Sequence, residues 1–336
     1  MINYADLNSA QKEAVIEQCP HIRVIAGAGS GKTRVLTMRI AYLVEKMNVK
    51  PYNILAITFT NKAANEMKRR IDEMLEDKGT GSYISTIHSL CVRILSEDIK
   101  ALNYPKNFTI VDADDQKQIL KEAYKSLSID VKTYSYGSML EYISNNKCAD
   151  VSIKRAYELA MGDERQTLKA KVYEYYQNRL LSIYALDFDD LIIWTIRLFI
   201  KYPDIKEKWS NRFHYILVDE FQDVDHLQYN LIRQLATVHD RIYVVGDPDQ
   251  TIYTWRGADV SIIINFARDY EDTKTIYLNE NYRSTGNILN GANSVIKNNR
   301  MRLEKDLFSN EGLGEKITHK SLMSEDEESY YVTNEI

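Results

Sequence analysis

The chain is poor in the residues that interrupt or cross-link a polypeptide. Its 336 residues include five prolines, thirteen glycines and three cysteines, and 44% of the residues are hydrophobic. This composition excludes a disordered chain and a collagen-like fibre, and it predicts long helices. Cys19, Cys91 and Cys148 are odd in number and far apart. They exclude a disulfide scaffold and favour reduced thiols in a cytosolic protein over a metal site.

Two kinds of targeting segment are also missing. No apolar run approaches the roughly 18 residues of a membrane span. The segment from Met1 to Asp6 lacks the basic and apolar regions of a signal peptide. We therefore expect a cytoplasmic protein with no membrane partner. At about 150 residues per domain, the length predicts two domains, or one domain with a large insertion.

A net charge of -5 would by itself argue against a nucleic-acid partner, but the charge is unevenly distributed. From Glu311 to Ile336, seven acidic residues stand against two lysines, so this stretch carries the whole excess. The remaining residues are balanced. Because a neutral body can carry a local basic track, the total charge does not decide which partner the protein binds.

Short apolar runs alternate with helical patterns in the first part of the chain. Ile22–Ala26 and Ile54–Ile57 predict buried strands. Helical periodicity predicts four helices. The first starts at Asn8 or Ser9, the second runs from Lys32 to about Lys46, the third covers Asn61–Asp77, and the fourth covers Ser85–Leu102. This alternation predicts a parallel, doubly wound sheet.

The pattern changes after Asp112. From there to about Ile183 the chain is charged, rich in Tyr, Lys and Glu, and helical in period, without a convincing buried strand. A further helix is predicted over Asp187–Ile200. Strand signals then return in three runs, Tyr215–Val218, Ile242–Val245 and Thr275–Leu278. The sequence thus predicts an α/β domain interrupted by an all-helical insertion. Ser324 to Ile336 predicts a helix that has just begun, so we expect the chain to continue beyond it.

A glycine-rich loop lies between the first predicted strand and the second predicted helix. It reads AGAGSGKT from Ala26 to Thr33 and fits the phosphate-binding loop, except that Ala26 replaces the first glycine. Glycines let backbone N–H groups turn inward around phosphate oxygens, and the helix N-terminus favours negative charge. Lys32 would reach the β- and γ-phosphates, and the Thr33 hydroxyl would ligate Mg²⁺. A structural glycine turn is the weaker interpretation.

A phosphate-binding loop also needs an acidic residue on its metal side, at the end of another buried strand. The run LVDE, from Leu217 to Glu220, supplies it. Asp219 would hold Mg²⁺ through water, and Glu220 would act as general base toward the attacking water. An isolated Asp-Glu pair is usually solvated, so the functional interpretation depends on Lys32. Together the two motifs indicate an NTPase, without saying what it moves.

Neighbouring segments suggest a nucleic-acid surface. Gln250 follows a predicted strand and is followed by Tyr253, Trp255 and Arg256. Phe59 ends another strand, and the run STIHS from Ser85 opens a predicted helix. Aromatic side chains can stack on bases, and helix N-termini can bind backbone phosphates. Each fragment alone is weak, because an aromatic residue is more often part of a core.

Taken together, these motifs resemble the UvrD/Rep/PcrA-type DNA helicases of superfamily one. The resemblance runs from the segment LNSAQ at Leu7 to NENYRST ending at Thr285, and it keeps the order and spacing of at least six motifs. It implies a RecA-like P-loop NTPase fold, with a parallel sheet that has helices on both faces. It also implies ATP and Mg²⁺ as cofactors and single-stranded DNA, with its junctions to duplex, as the partner.

The resemblance assigns roles to individual residues. Gln11 would recognise adenine, Tyr282 would stack on it, and Gln250 and Arg283 would contact the γ-phosphate, with Arg283 acting as an arginine finger. The implied nucleotide loop comprises Ala26, Gly27, Ala28, Gly29, Ser30, Gly31, Lys32, Thr33 and Arg34. Implied DNA contacts are Phe59, Thr60, Asn61, Thr86, His88, Tyr253, Trp255 and Arg256.

The resemblance also divides the chain. It implies a first motor lobe over 1–108 and 186–278, a helical insertion over 109–185, and the truncated beginning of a second lobe over 279–336. The implied activity is ATP-dependent 3′→5′ translocation and unwinding in DNA repair or replication, with poor activity of this segment alone. Two alternatives stay open: the motor part of an AddA/RecB-like helicase–nuclease, and an ATP- or DNA-binding module without turnover.

Overall fold

The centre of the molecule is a six-stranded parallel sheet. The computed structural model describes residues 4–76 and 81–336. Its strands are β1 His21–Ala26, β2 Ile54–Ile57, β3 Tyr83–Ser85, β4 Thr109–Ile110, β5 Ala185–Leu186, β6 Tyr215–Val218, β7 Ile242–Gly246 and β8 Lys274–Leu278. The sheet has the order β3-β2-β6-β7-β1-β8, while β4 and β5 form a separate parallel pair. The predicted parallel sheet is confirmed.

Fourteen α-helices lie in the part of the chain that the structure describes. They are α1 Ser9–Ile16, α2 Lys32–Glu45, α3 Asn61–Leu75, α4 Ile87–Asp98, α5 Ala113–Ser126, α6 Tyr136–Cys148, α7 Ile153–Leu159, α8 Glu164–Ser182, α9 Phe188–Lys201, α10 Pro203–Arg212, α11 His226–Ala236, α12 Val260–Asp269, α13 Gly286–Ile296 and α14 Glu325–Glu335. Within the described ranges, none of them is both long and apolar enough to cross a membrane.

Helices cover both faces of the sheet, because successive strand residues point to opposite sides. In β2, Leu55 and Ile57 join a core shared with α4, α9, α11 and α12. Ile54 and Ala56 join the opposite core with α1, α2 and α3. The strands therefore read as continuous apolar runs, and their carboxyl ends meet at one edge, where the loops can gather functional side chains.

The insertion forms a third core of its own. Helices α5 to α8 pack around buried residues that include Leu120, Tyr173 and Tyr176. The chain enters through β4 and leaves through β5, which pair in parallel with Thr109 opposite Ala185. Sequence periodicity missed this pair because two residues are too few to show alternation. The pairing brings the entry and exit of the insertion together beside α9.

A buried ion cluster joins the insertion to helix α9 of the main domain. The Lys147 ammonium, on α6, lies 2.6 Å from an Asp187 oxygen and 2.8 Å from an Asp190 oxygen. Asp187 caps α9 and also accepts a 2.9 Å hydrogen bond from the Tyr176 hydroxyl. Burial, and then the charge of Asp187, raise the pKa of Asp190 to about 7. One lysine therefore faces two buried carboxylates, and Asp190 binds a proton more readily than an exposed carboxylate does.

We expect Asp190→Asn to stabilise the protein at alkaline pH. A carboxyl group with a raised pKa contributes stability that is fully present below its unfolded pKa of about 4 and is lost as pH rises through the folded pKa of about 7. The free energy of unfolding of the variant should exceed that of wild type by roughly a few kcal/mol at pH 8 and by little at pH 4. Denaturant titrations at the two pH values measure this difference. Asp306→Asn, at an exposed carboxylate, is the control.

The structure corrects the predicted helix over Ser85–Leu102. Ser85 ends β3, Thr86 is the N-cap of α4, and α4 stops at Asp98 before a short 3₁₀ helix, Ile99–Leu102. Strand β3 was missed because it has only three residues. The predicted end of α3 at Asp77 lies outside the described residues. The predicted terminal helix is observed as α14, in which no described side chain is buried.

Candidate nucleotide and nucleic-acid site

The glycine-rich loop joins the carboxyl end of β1 to the N-terminus of α2. Gly29 and Gly31 have φ angles of 68° and 87°, in the left-handed region that favours glycine. A Cβ atom on Gly29 would lie 2.7 Å from the Arg283 Cβ, and one on Gly31 would lie 2.9 Å from the Gln11 amide nitrogen. Both glycines are therefore required by backbone conformation and by close approach. The α2 N-terminus faces this loop and favours a bound anion.

The Lys32 ammonium lies 2.8 Å from a Glu220 carboxylate oxygen, which joins the phosphate loop to the end of β6. Glu220 adopts φ 49°, an uncommon conformation for a residue with a side chain. Such strain is typical of functional positions. The Gln222 amide donates a 2.9 Å hydrogen bond to the same Glu220 oxygen. The proposed general base is thus held between a lysine and a glutamine at the edge of the sheet.

Asp219 is a buried carboxylate at the carboxyl end of β6. Burial, and then the charge of Glu220, raise its pKa to about 6. Asp219 follows β6, and Thr33 lies in the first turn of α2. A buried carboxylate next to a second one is a site that a divalent cation would stabilise, and oxygen ligands suit Mg²⁺. The Asp219 carboxylate and the Thr33 hydroxyl are oxygen ligands that fit Mg²⁺ held jointly with phosphate oxygens. Among the described residues, no group of three His, Cys, Asp or Glu side chains is placed to hold a metal ion.

The predicted adenine-side residues gather beside α1. The Gln11 amide donates a 2.9 Å hydrogen bond to the Ser30 carbonyl. Asn8 caps α1 and donates a 2.8 Å hydrogen bond to the Tyr282 hydroxyl, and the Tyr282 ring is exposed. Arg34 is also exposed and lies 3.8 Å from Asp6. Gln11 and Tyr282 therefore flank the phosphate loop on one side.

Arg283 lies beside the phosphate loop, and Gln250 lies in the loop that follows β7. The Asn281 amide donates a 2.6 Å hydrogen bond to the Ala28 carbonyl, and the Asn281 carboxamide oxygen accepts one from the Arg283 backbone. This brings Arg283 beside Gly29. The Gln250 amide instead donates to the Asp247 carboxylate. The Gln250 amide group has a second N–H donor, so a phosphate contact can either add to the bond with Asp247 or replace it.

A large cleft opens beside the nucleotide site, between the motor lobe and the insertion. It encloses about 920 Å³. Phe59 and Tyr253 stack in its wall with ring centroids 4.7 Å apart, and Trp255 lies 6.3 Å from Tyr253. Trp255 is 72% exposed, so it does not belong to a core. Exposed aromatic rings in a cleft of this size are suited to stacking on bases.

The polar residues predicted to contact DNA also cap helices and form local hydrogen bonds. Thr60 and Thr86 cap α3 and α4 by accepting backbone N–H bonds from Ala63 and Ser89. The Asn61 carboxamide oxygen accepts a 3.3 Å bond from the Ser89 hydroxyl. These residues place two helix N-termini at the mouth of the cleft. The Arg256 side chain lies outside the part of the chain that the structure describes.

Sequence reasoning missed Phe188 as a cleft residue. Phe188 is 49% exposed, lines the cleft, and meets the His88 ring edge-on at 5.5 Å. Burial lowers the pKa of His88 and favours the neutral ring. The position gives no signal in the sequence, because a first-turn residue can also be buried, as Ile87 is after the capping Thr86.

Acidic side chains are prominent around the cleft. Among the described lining residues there is no lysine or arginine, whereas Glu141, Asp189, Asp223 and Asp225 all contribute. Burial raises the pKa of Asp223 to about 6, with the charge of Glu220 adding to the shift. The described lining therefore offers stacking surfaces and helix N-termini in place of a basic track.

Comparison with known proteins agrees with this geometry. The family described as UvrD/REP helicase N-terminal domain matches residues 7–271. The chain belongs to the UvrD/REP helicase family. The family described as UvrD-like helicase C-terminal domain matches residues 276–336. A P-loop NTPase fold follows from this membership and from the parallel sheet.

Two proteins named ATP-dependent DNA helicase PcrA illustrate the similarity. The protein from Staphylococcus epidermidis is 46% identical over 331 residues, which is 98% of this chain and 45% of the relative. The protein from Staphylococcus aureus is 46% identical over 330 residues, with the same coverage. This UvrD/REP family chain therefore spans about half the length of the curated relatives it matches.

Proposed function

We propose that this chain supplies the ATP-binding motor lobe of an ATP-dependent DNA helicase that moves 3′→5′ along one strand. One observation carries the proposal. The loop after β7 bears Gln250 and, three residues later, Tyr253, which stacks on Phe59 in the cleft wall. If Gln250 moves when it binds a γ-phosphate, Tyr253 in the same loop would move with it, and the proposed base-stacking surface would change.

The chemistry proposed is hydrolysis of ATP. A water oxygen attacks the γ-phosphorus, the bond from that phosphorus to the β,γ-bridging oxygen breaks, and Glu220 accepts the proton of the water. Lys32 would leave Glu220 for the phosphates, which frees the carboxylate at the moment substrate binds. Arg283 would stabilise the charge that develops on the transferred group. Mg²⁺, bound by Thr33, Asp219 and the phosphates, would neutralise phosphate charge.

We divide the chain into a motor lobe of 1–108 and 186–278, an insertion of 109–185, and the beginning of a second lobe at 279. The separate core of the insertion and the β4–β5 pair support the boundaries of the insertion. The contacts of Asn281 and Arg283 with the phosphate loop support a nucleotide site between two lobes. Closure of such a cleft on ATP is a hinge motion that can advance a strand through the neighbouring groove.

Polarity and substrate shape are tested with duplexes that carry one single-stranded tail. The protein that carries this chain should displace a strand, with ATP and Mg²⁺, from a duplex with a 3′ tail and not from one with a 5′ tail. Unwinding from the 5′ tail alone would contradict the polarity. Roles in repair or replication are proposed from the junction substrate, and blunt duplex should be unwound much less than the tailed form.

Removing the exposed indole should weaken single-strand binding. We expect Trp255→Ala to raise the dissociation constant for oligo(dT) by an amount equivalent to roughly 1–3 kcal/mol, because one base loses its stacking partner. Fluorescence anisotropy with a labelled oligonucleotide measures this change. Tyr52→Ala is the matched control, since Tyr52 is an exposed aromatic residue preceding β2, at the opposite edge of the sheet. Equal affinities for the two variants would place the strand elsewhere.

A further inference from the structure

A short segment after α13 lies over the nucleotide site. We call Lys305–Phe308 the strap. Its Leu307 side chain occupies the space that a Cβ atom on Gly27 would need. The Phe308 backbone exchanges hydrogen bonds with the Asn279 carbonyl at 3.1 Å and the Asn281 N–H at 2.8 Å. The strap therefore contacts both the phosphate loop and the segment that carries Arg283.

Lys305 adds a buried cation to the loop after β7. Its ammonium pairs with Asp247 and lies 3.0 Å from Asp249, and all three side chains are at most 8% exposed. Arg302 donates a 2.8 Å hydrogen bond to the Lys305 carbonyl, and its guanidinium lies 3.7 Å from Asp249. Two carboxylates and two cations thus form a closed cluster. Burial at this level requires a charge to be paired.

The cluster connects to both catalytic candidates. Asp247 accepts from Lys305 on one carboxylate oxygen and from the Gln250 amide on the other. The Asp247 backbone N–H donates a 3.0 Å hydrogen bond to the Gln222 carboxamide, whose amide holds Glu220. An unbroken chain of polar contacts therefore runs from the strap to the γ-phosphate glutamine and to the general base.

We propose that Lys305 is a positioning residue for ATP hydrolysis: by fixing the Asp247 carboxylate it sets the orientation of Gln250, so the strap controls turnover. The proposal rests on the proposed ATPase function and adds a residue to it. Lys305 acts through Asp247 and does not touch substrate. The strap also contacts the segment that carries Arg283. Movement of that segment would therefore shift Lys305 and Asp247, and with them the orientation of Gln250.

The test uses Lys305→Met and Lys305→Arg in the protein that carries this chain. We expect Lys305→Met to lower kcat by about 10- to 100-fold, as a misplaced catalytic group does, with KM for ATP changed by less than about threefold. Lys305→Arg should restore most of kcat, because it keeps the buried cation. Lys316→Met, at an exposed lysine outside the strap, should match wild type.

A double-mutant cycle separates positioning from general structural support. In a Gln250→Ala background, Lys305→Met should cause less than about a twofold further loss of kcat, because the residue through which Lys305 acts is gone. Additive losses, or an unchanged kcat in Lys305→Met, would overturn the proposal. A wild type that does not hydrolyse ATP would instead overturn the proposed function.

Folding is checked by circular dichroism. If Lys305→Met does not fold, Asp249→Asn decides the matter, since it removes one of the two carboxylates that hold Lys305. We then expect kcat to fall by about threefold, and to show no further fall when Asp249→Asn is combined with Gln250→Ala. An unchanged kcat in Asp249→Asn, or additive losses in the double variant, would overturn the proposal.

Discussion

Replacing Arg283 with alanine is expected to lower kcat for ATP hydrolysis by about 10³- to 10⁵-fold, as the loss of an arginine finger does. Asn281 ties this segment to the phosphate loop at Ala28, and the Arg283 Cβ lies over Gly29. The guanidinium can therefore reach a bound γ-phosphate. Because the Arg283 side chain is exposed, its removal should leave folding intact. Steady-state hydrolysis, measured by phosphate release, gives the value.

Arg283→Lys should remain closer to alanine than to wild type, because lysine keeps the charge and loses the planar fork. Arg268→Ala, at an exposed arginine near the C-terminus of α12, is the control and should not alter kcat. A loss of similar size in both alanine variants would mean that the effect is not specific to the phosphate loop.

The second large effect concerns stability. Lys147→Met should lower the free energy of unfolding by about 3–5 kcal/mol, because it leaves Asp187 and Asp190 buried without a cation. Chemical denaturation followed by circular dichroism measures this loss. Lys171→Met, at an exposed lysine on α8, should change the stability little. Combining Lys147→Met with Asp190→Asn should recover part of the loss, since one uncompensated carboxylate is removed.

The same variant also concerns the cleft, because the Lys147 cluster joins two helices that line it. The lysine holds α6 on α9, and both helices line the cleft that contains Phe188. If Lys147→Met proved as stable as Lys171→Met, the cluster would not fasten the insertion to the motor lobe.

The strand–loop–helix unit that carries the proposed nucleotide site could be predicted, because phosphate binding dictates residue types at fixed places in such a unit. Gly29 and Gly31 combine positive φ with the close approach of Arg283 and Gln11, and Lys32 begins α2. The order of strands in the sheet was not readable from periodicity, because strand pairing depends on long-range contacts. Strand β3 was missed for a related reason, since three residues are too few to show a pattern.

Paired charges distant in sequence were the other features that sequence reasoning missed. Lys147 stands in a charged helical stretch, where most lysines are solvated, and nothing local shows that it pairs 40 residues away. Lys305 pairs with Asp247 at a separation of 58 residues. Such contacts are set by the packing of whole elements, so composition and spacing do not reveal them. The sequence also left open a local basic track, whereas the described lining of the cleft is acidic.

The central claim is that one loop couples ATP hydrolysis to single-stranded DNA. The most direct measurement is the rate of ATP hydrolysis by the protein that carries this chain, with and without oligo(dT), for wild type and Lys32→Ala. We expect oligo(dT) to raise the rate of ATP hydrolysis by wild type. We also expect Lys32→Ala to lower kcat by about 10²- to 10³-fold in both conditions, because a preorganised phosphate-binding group is lost. Hydrolysis that ignores DNA, or that survives Lys32→Ala, would contradict the central claim.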